Sequence, residues 1–279
     1  MNEILRIENL TKTFTKKGIF HSNSSSIRAV NDVSFSLLKG EILAIAGQSG
    51  SGKSTIAKLI LRSIEPDSGK IFFNGEEISA NNENLKKFRS KCQMNHQDPY
   101  DSVNPRMKIF DIVNEPLEIH NKGNKLERNK IVIETLKQVK LEPVEEILEK
   151  FPHMLSGGQR QRVAIARALV TKPEVIIADE PVSMLDVSVR GEILELMNSI
   201  QKKYDISFIY ITHDLATAKF FAKKIIILFE GKIMELGKIE NVLNNPEHAY
   251  TRALIDAIPY PDPKNLYKEK KINWKNEIS

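Results

Sequence analysis

The stretch EILAIAGQSGSGKSTIAKLILRSI, residues 41–64, decides the fold. Its opening, EILAIAG, is apolar nearly throughout, as a strand buried on both faces must be. Its end, STIAKLILRSI, has the 3.6-residue apolar period of a helix. Between them Gly47, Gly52, Lys53 and Ser54 satisfy G-x-x-x-x-G-K-[ST]. In that setting the glycines let backbone N–H groups curl around phosphate oxygens, and the helix N-terminus adds partial positive charge. Lys53 is expected to reach the β- and γ-phosphates, and Ser54 to place its hydroxyl on Mg²⁺. By itself the motif implies nucleoside-triphosphate binding and nothing more.

Outward from this stretch, two textures alternate. On its N-terminal side ILRIENL and AVNDVSFSLLKG read as strands, and the serine-rich HSNSSSI between them reads as a loop. SGKIFFNGEEI reads as a strand pair turning at Asn74-Gly75, so an antiparallel region accompanies the phosphate-loop strand. Beyond Gln97, DPYDSVNPRM is loop-like. Helical patterning then dominates residues 109–150, where Val132, Leu136 and Val139 share a face. Apolar strands return in EVIIADEP, ISFIYITHD and KKIIILFEG, separated by helical segments such as GEILELMNSIQKKY. Strand–helix alternation with apolar strands implies a parallel α/β sheet. The expectation is one domain over residues 1–279. Residues 1–97 and 167–245 form the core with its β region, 98–166 a helical subdomain, and 246–279 a C-terminal extension.

Composition narrows the class. At 41% hydrophobic and 28% charged over 279 residues the chain reads as an ordinary globular protein. Apolar runs such as IIIL, residues 225–228, fall far short of the ~18 to 20 residues of a membrane helix. MNEILRIENL has no signal-peptide pattern. The single cysteine, Cys92, excludes an intrachain disulfide. Part of the net charge of +5 lies in the ending KNLYKEKKINWKNEIS, which reads as a solvated tail, with an anionic partner as the alternative.

A second phosphate-gripping end is written in FPHMLSGGQRQRVAIARAL, residues 151–169, where Ser156, Gly157 and Gly158 open a helix. Three further signals accompany it. Asp179 and Glu180 end the apolar strand EVIIADEP, where ligands collect in open α/β sheets. Asp179 is suited to the Mg²⁺ shell and Glu180 to polarising the attacking water. Gln97 follows the strand CQMNHQ, from which its amide can reach Mg²⁺ or that water. His213 ends FIYITHD; its imidazole either hydrogen-bonds a γ-phosphate or serves the structure, and position alone favours the structural role. Phe14, in LTKTF, ends the first strand; it stacks on adenine or fills core space, and position alone favours the core.

The set of motifs, in this order, resembles the nucleotide-binding subunits of ABC transporters across about residues 3–245. The resemblance implies a P-loop NTPase fold of ABC type, α/β, with a RecA-like core, an antiparallel β region and a helical subdomain. It makes Phe14 the adenine-stacking aromatic. Gly47, Gln48, Ser49, Gly50, Ser51, Gly52, Lys53, Ser54 and Thr55 become the Walker A loop, and Gln97 the Q-loop. Leu155, Ser156, Gly157, Gly158 and Gln159 become the signature. Asp179 becomes the Walker B aspartate, Glu180 the catalytic glutamate, Asp186 the D-loop aspartate and His213 the switch histidine. Ser54, Gln97 and Asp179 would hold Mg²⁺. It also explains the second end: two subunits meet head to tail, and the signature of one closes on ATP held by the other.

QDPYDSVNPRM and NNPEHAYTRALIDAIPYPDP narrow the resemblance to the oligopeptide, dipeptide and nickel importer subfamily; both stretches read as lying outside the chemistry. Departures are Asn95 and His96 for apolar or aromatic residues, Val103 for leucine, Met184 for a small residue and Ala249 for proline. The longer cysteine-bearing ending of many members is not matched. The resemblance implies an ATPase driving peptide uptake, with ATP and Mg²⁺ as cofactors and a second ABC ATPase subunit, identical or different. Two permease subunits and, indirectly, an extracytoplasmic substrate-binding protein complete it at the cytoplasmic face of the membrane. The alternatives are an importer for nickel or another small solute, or a soluble ABC ATPase acting on nucleic acid or ribosomes. No nucleic-acid partner is expected.

Overall fold

The computed structural model describes residues 2–16, 25–78, 82–97 and 104–257. Two sheets share the core. The first is antiparallel, ordered β2 (Ser25–Leu38), β1 (Glu3–Lys16), β4 (Ser68–Phe73), β5 (Glu76–Glu77). Strands β1 and β2 both outrun their apolar stretches, and register shifts between Ile7 and Thr13 absorb the irregularity. Ser25, Ser26 and Ile27, expected in a loop, pair with β1 instead, because a long antiparallel partner can capture polar residues that propensity leaves free. The rest of the serine-rich break, residues 98–103 with Val103, and the lysine-rich ending lie outside the described residues.

The second sheet has six strands, ordered β10 (Lys232–Lys238), β9 (Lys224–Phe229), β3 (Ile42–Ala46), β8 (Ser207–Thr212), β7 (Val175–Asp179), β6 (Cys92–Asn95). Only β10 runs antiparallel. The all-apolar strands occupy the middle, where both faces are covered. Side chains alternate across it: Leu43 and Ile45 enter the core shared with the antiparallel sheet and α1 (Lys53–Ile60), while Ala44 and Ala46 face the opposite core.

That opposite core is shared with the helical insert, α3 (Ile109–Ile119), α4 (Lys125–Gln138), α5 (Val144–Glu149) and α6 (Gly157–Leu169), the helix α2 (Asn82–Lys91) lying before β6. Val132, Leu136 and Val139 are buried there, as their spacing requires. Asn124 starts α4 with a reciprocal capping box to Glu127, satisfying two otherwise open N–H groups. Helix α6 runs unbroken across residue 166 to Leu169 and leads directly toward β7. The remaining helices are α7 (Val187–Tyr204), α8 (Leu215–Phe221), α9 (Ile239–Asn244) and α10 (Ala249–Asp256). Among the described residues no helix is long and apolar enough to cross a membrane.

Candidate nucleotide site

Four neighbouring strands deliver the site from their carboxyl ends. Strand β3 ends in the glycine loop, β8 in His213, β7 in Asp179 and Glu180, and β6 two residues before Gln97. A cavity of about 520 Å³ opens there, lined by Ser49, Gly50, Gly52, Lys53, Ser54, Thr55, Gln97, Glu180, His213 and Ala29 of β2.

The loop is held by close backbone approach. A side chain on Gly47 would meet the Leu228 carbonyl at 2.1 Å, and one on Gly52, whose φ is +106°, would meet the Ala29 carbonyl at 2.2 Å. Only glycine fits either place. The Lys53 ammonium donates to the Gly47 and Gln48 carbonyls, at 2.7 and 2.8 Å, folding back over its own loop. Burial pulls its pKa below the ordinary lysine value, and the Glu180 and Asp179 carboxylates oppose that shift.

Asp179 is 5% exposed, and burial raises its pKa; the Ser54 hydroxyl, hydrogen-bonded to it, pulls the other way, and the Glu180 charge adds to the rise. Among the described residues its Oδ1 finds no hydrogen-bond partner. A buried carboxylate oxygen left open beside a serine hydroxyl fits a hard cation that takes oxygen ligands and completes its shell with water and phosphate. The residues therefore suit Mg²⁺.

Glu180 adopts a left-handed backbone, φ 47°, an uncommon conformation for a non-glycine residue. Its N–H donates to the Ile211 carbonyl at 2.9 Å, tying the turn after β7 to β8. Its carboxylate is gripped from two sides, Oε1 lying 3.0 Å from His213 Nδ1 and Oε2 accepting from Gln97 Nε2 at 3.2 Å. Both residues were expected near phosphate, metal or water; here they share the glutamate at the cavity wall. Just before Gln97, buried Asn95 has no hydrogen-bond partner among the described residues for either side-chain polar atom, and desolvation with the Arg167 and Lys58 charges lowers the His96 pKa.

The signature stands apart. Ser156 caps α6: its Oγ accepts the Gln159 N–H at 3.3 Å, and its own N–H donates to Gln159 Oε1 at 3.0 Å. Gly157 and Gly158 lie against Leu185 and Val189, where a side chain on Gly158 would meet Val189 at 2.8 Å. Of Ser156, Gly157, Gly158 and Gln159 none lines the cavity. Asp186 holds the N-cap position of α7 without a side-chain cap bond, between exposed Met184 and Val187, the latter 81% exposed.

Phe14 does not fill the core. It is 43% exposed, sits within β1 and pairs with Ile27, two residues before the cavity-lining Ala29. Tyr250 reverses another expectation. Its stretch reads as outside the chemistry, yet its hydroxyl accepts the N–H of Gln48 in the phosphate loop at 3.3 Å. No local spacing signals a contact between residues so far apart in the chain.

Comparison with known proteins agrees with this geometry. Residues 30–183 match the family described as ABC transporter, and residues 234–277 match the oligopeptide/dipeptide transporter, C-terminal region. The oligopeptide transport ATP-binding protein OppF of Bacillus subtilis is 41% identical over 281 residues, covering 99% of this chain and 88% of that protein. AppF of the same organism, also named an oligopeptide transport ATP-binding protein, is 40% identical, with 99% and 84% covered. Among solved structures, the dimeric ATP-binding cassette MJ0796, in a post-hydrolysis state bound to ADP and Pi, superposes with a TM-score of 0.74 at 32% identity, covering 85% of this chain and 99% of that one. The cbiO1 protein of Clostridium perfringens gives 0.75 at 29% identity, with 88% and 93% covered. A phosphate loop, an acidic strand end and a signature helix on one such scaffold, with nearly the whole of this chain matched to those relatives, place it in the ABC transporter family, as one of its ATPase subunits.

Proposed function

We propose that this chain hydrolyses ATP to drive the uptake of oligopeptides or dipeptides through partner permeases. The observation that carries the reading is a division of groups. Lys53, Ser54, Gln97, Glu180 and His213 line one cavity, and Asp179 lies beside Ser54, while the signature residues lie outside. A chain so divided has half of each of two sites, and a head-to-tail pair completes both.

In this reading the loop N–H groups of residues 47–55 and the start of α1 hold the phosphates, and Phe14 stacks on adenine at the cavity rim. Lys53 leaves its two carbonyls for the β- and γ-phosphates. Ser54 and Asp179, with Gln97, would hold Mg²⁺, which would supply positive charge against the phosphates. Glu180 accepts a hydrogen bond from the attacking water; Gln97 and His213, already on its two oxygens, orient it. Ser156 and Gly158 of the partner subunit present donors to the γ-phosphate, with Gln159 and Asp186 at the same contact. Those donors fit ATP better than ADP, so hydrolysis weakens the pair and drives a conformational cycle.

The match at residues 234–277 and the names of the two Bacillus relatives support a peptide as cargo. Two permease subunits supply the channel, a substrate-binding protein supplies the peptide, and the ATPase sits peripherally on the cytoplasmic face of the membrane. The insert, 98–166, is the subdomain that answers to the permeases. The test is co-purification from membranes with and without the permeases, followed by peptide-stimulated ATPase activity of the reconstituted complex. A chain that remains off membranes when the permeases are present, or a complex stimulated by nickel and not by peptides, would refute the assignment.

A further inference from the structure

We propose that Tyr250 is a positioning residue for the phosphate loop: its hydroxyl fixes the Gln48 peptide, and through it the C-terminal helix α10 sets how tightly the loop holds ATP. This rests on reading residues 47–55 as the ATP loop.

Tyr250 is fully buried, with its ring 4.3 Å from that of Phe229 at the end of β9. Burial raises the pKa of the phenol, and its oxygen accepts the Gln48 N–H at 3.3 Å. The same residue is engaged at its other end: the Gln48 carbonyl accepts from Lys53 Nζ at 2.8 Å and from the Ser51 N–H at 3.2 Å. A second brace comes from the β9–β10 turn, where the Gly231 N–H donates to the Ser51 carbonyl at 2.9 Å. The loop thus leans on one wall made of the β9–β10 hairpin and α10.

Helix α10 is itself fixed to that hairpin. Both oxygens of Glu235 on β10 accept backbone N–H groups, from Glu247 and His248, each at 3.2 Å. His248 Nδ1 accepts the Tyr250 N–H at 3.0 Å and so caps the helix that delivers the tyrosine. When Lys53 turns to the phosphates it releases the Gln48 carbonyl, and the tyrosine hydroxyl remains, with the Ser51 N–H, to anchor that peptide. Tyr250 does not line the nucleotide cavity, so it acts through Gln48 and not on ATP.

Tyr250→Phe keeps the ring against Phe229 and removes only the hydroxyl. One hydrogen bond corresponds to about a 2- to 10-fold loss. The expected result is a KM and an ATP dissociation constant raised by about that factor, with kcat at saturating ATP unchanged. Hydrogen exchange in the peptide spanning residues 43–52 should quicken, while the nucleotide-free melting temperature falls by no more than about 4 °C. Tyr250→Leu, which also loses the ring, should lower that temperature and weaken ATP binding at least as much. Wild-type ATP affinity in Tyr250→Phe, or a lower kcat at unchanged KM, would overturn the proposal. Wild-type chain that binds no ATP would instead overturn the ATP-loop reading, and the proposal with it.

Discussion

Glu180 holds His213 through Oε1 at 3.0 Å while its other oxygen accepts from Gln97 at 3.2 Å. A carboxylate so placed, one residue after Asp179 and on the cavity wall, is oriented before any water arrives. Glu180→Gln keeps the shape and loses the charge and most of the basicity. General-base contributions are worth roughly 10²- to 10⁴-fold, so hydrolysis should fall by that order while ATP binding is kept. The unspent γ-phosphate should trap the closed pair, seen in size-exclusion chromatography as an MgATP-dependent dimer stronger than that of wild type. Wild-type turnover would remove Glu180 from the mechanism; slow turnover without dimer formation would remove the sandwich.

Lys53 is buried and parked on two carbonyls of its own loop. Lys53→Ala takes away both the loop's internal tie and the ammonium for the phosphates. Nucleotide titration should show useful ATP binding abolished. Affinity and turnover equal to wild type would contradict the phosphate-loop assignment.

Ser156→Arg separates the two halves of the site. The change lies outside the cavity, so the mutant chain should bind its own ATP nearly as wild type does. Bulk and charge would land between partner surfaces and suppress hydrolysis at the facing site. Mixing mutant with wild-type partners should show which site is lost. Ser156→Ala serves as a control for the helix cap, whose loss costs about 0.5–2 kcal/mol. Loss of binding in the mutant chain itself, with no effect on its partner, would sink the head-to-tail arrangement.

Cys92 begins β6, is 1% exposed, and burial pushes its thiol well above the usual range. At pH 8 a maleimide should leave the folded chain unlabelled and react on urea unfolding at the rate of a free thiol. Rapid labelling of native protein would mean that β6, the strand leading to Gln97, opens readily.

The phosphate loop, the Asp179–Glu180 strand end and the signature helix were legible because each is a local device. Spacing along a strand, a turn or the first helical turn suffices to place an N–H, a carboxylate or a cap. Helical periodicity likewise placed Val132, Leu136 and Val139 inside the core. Strand extent was less legible: Ser25 and Ser26 pair because β1 is there to receive them, not because serine favours strands.

What the sequence determined by itself was the inventory of candidate phosphate-binding groups and their order along the chain. Their convergence was decided by the sheet order β3-β8-β7-β6, which sets side by side strand ends far apart in sequence. The exposure of Phe14 was settled by how β1 and β2 pair beyond the core. The contact of Tyr250 with Gln48 needed the β9–β10 hairpin to carry α10 back against the loop. Periodicity reports which face of an element is apolar; it carries no term for which distant backbone N–H will find a buried hydroxyl, because that pairing exists only once the layers have packed.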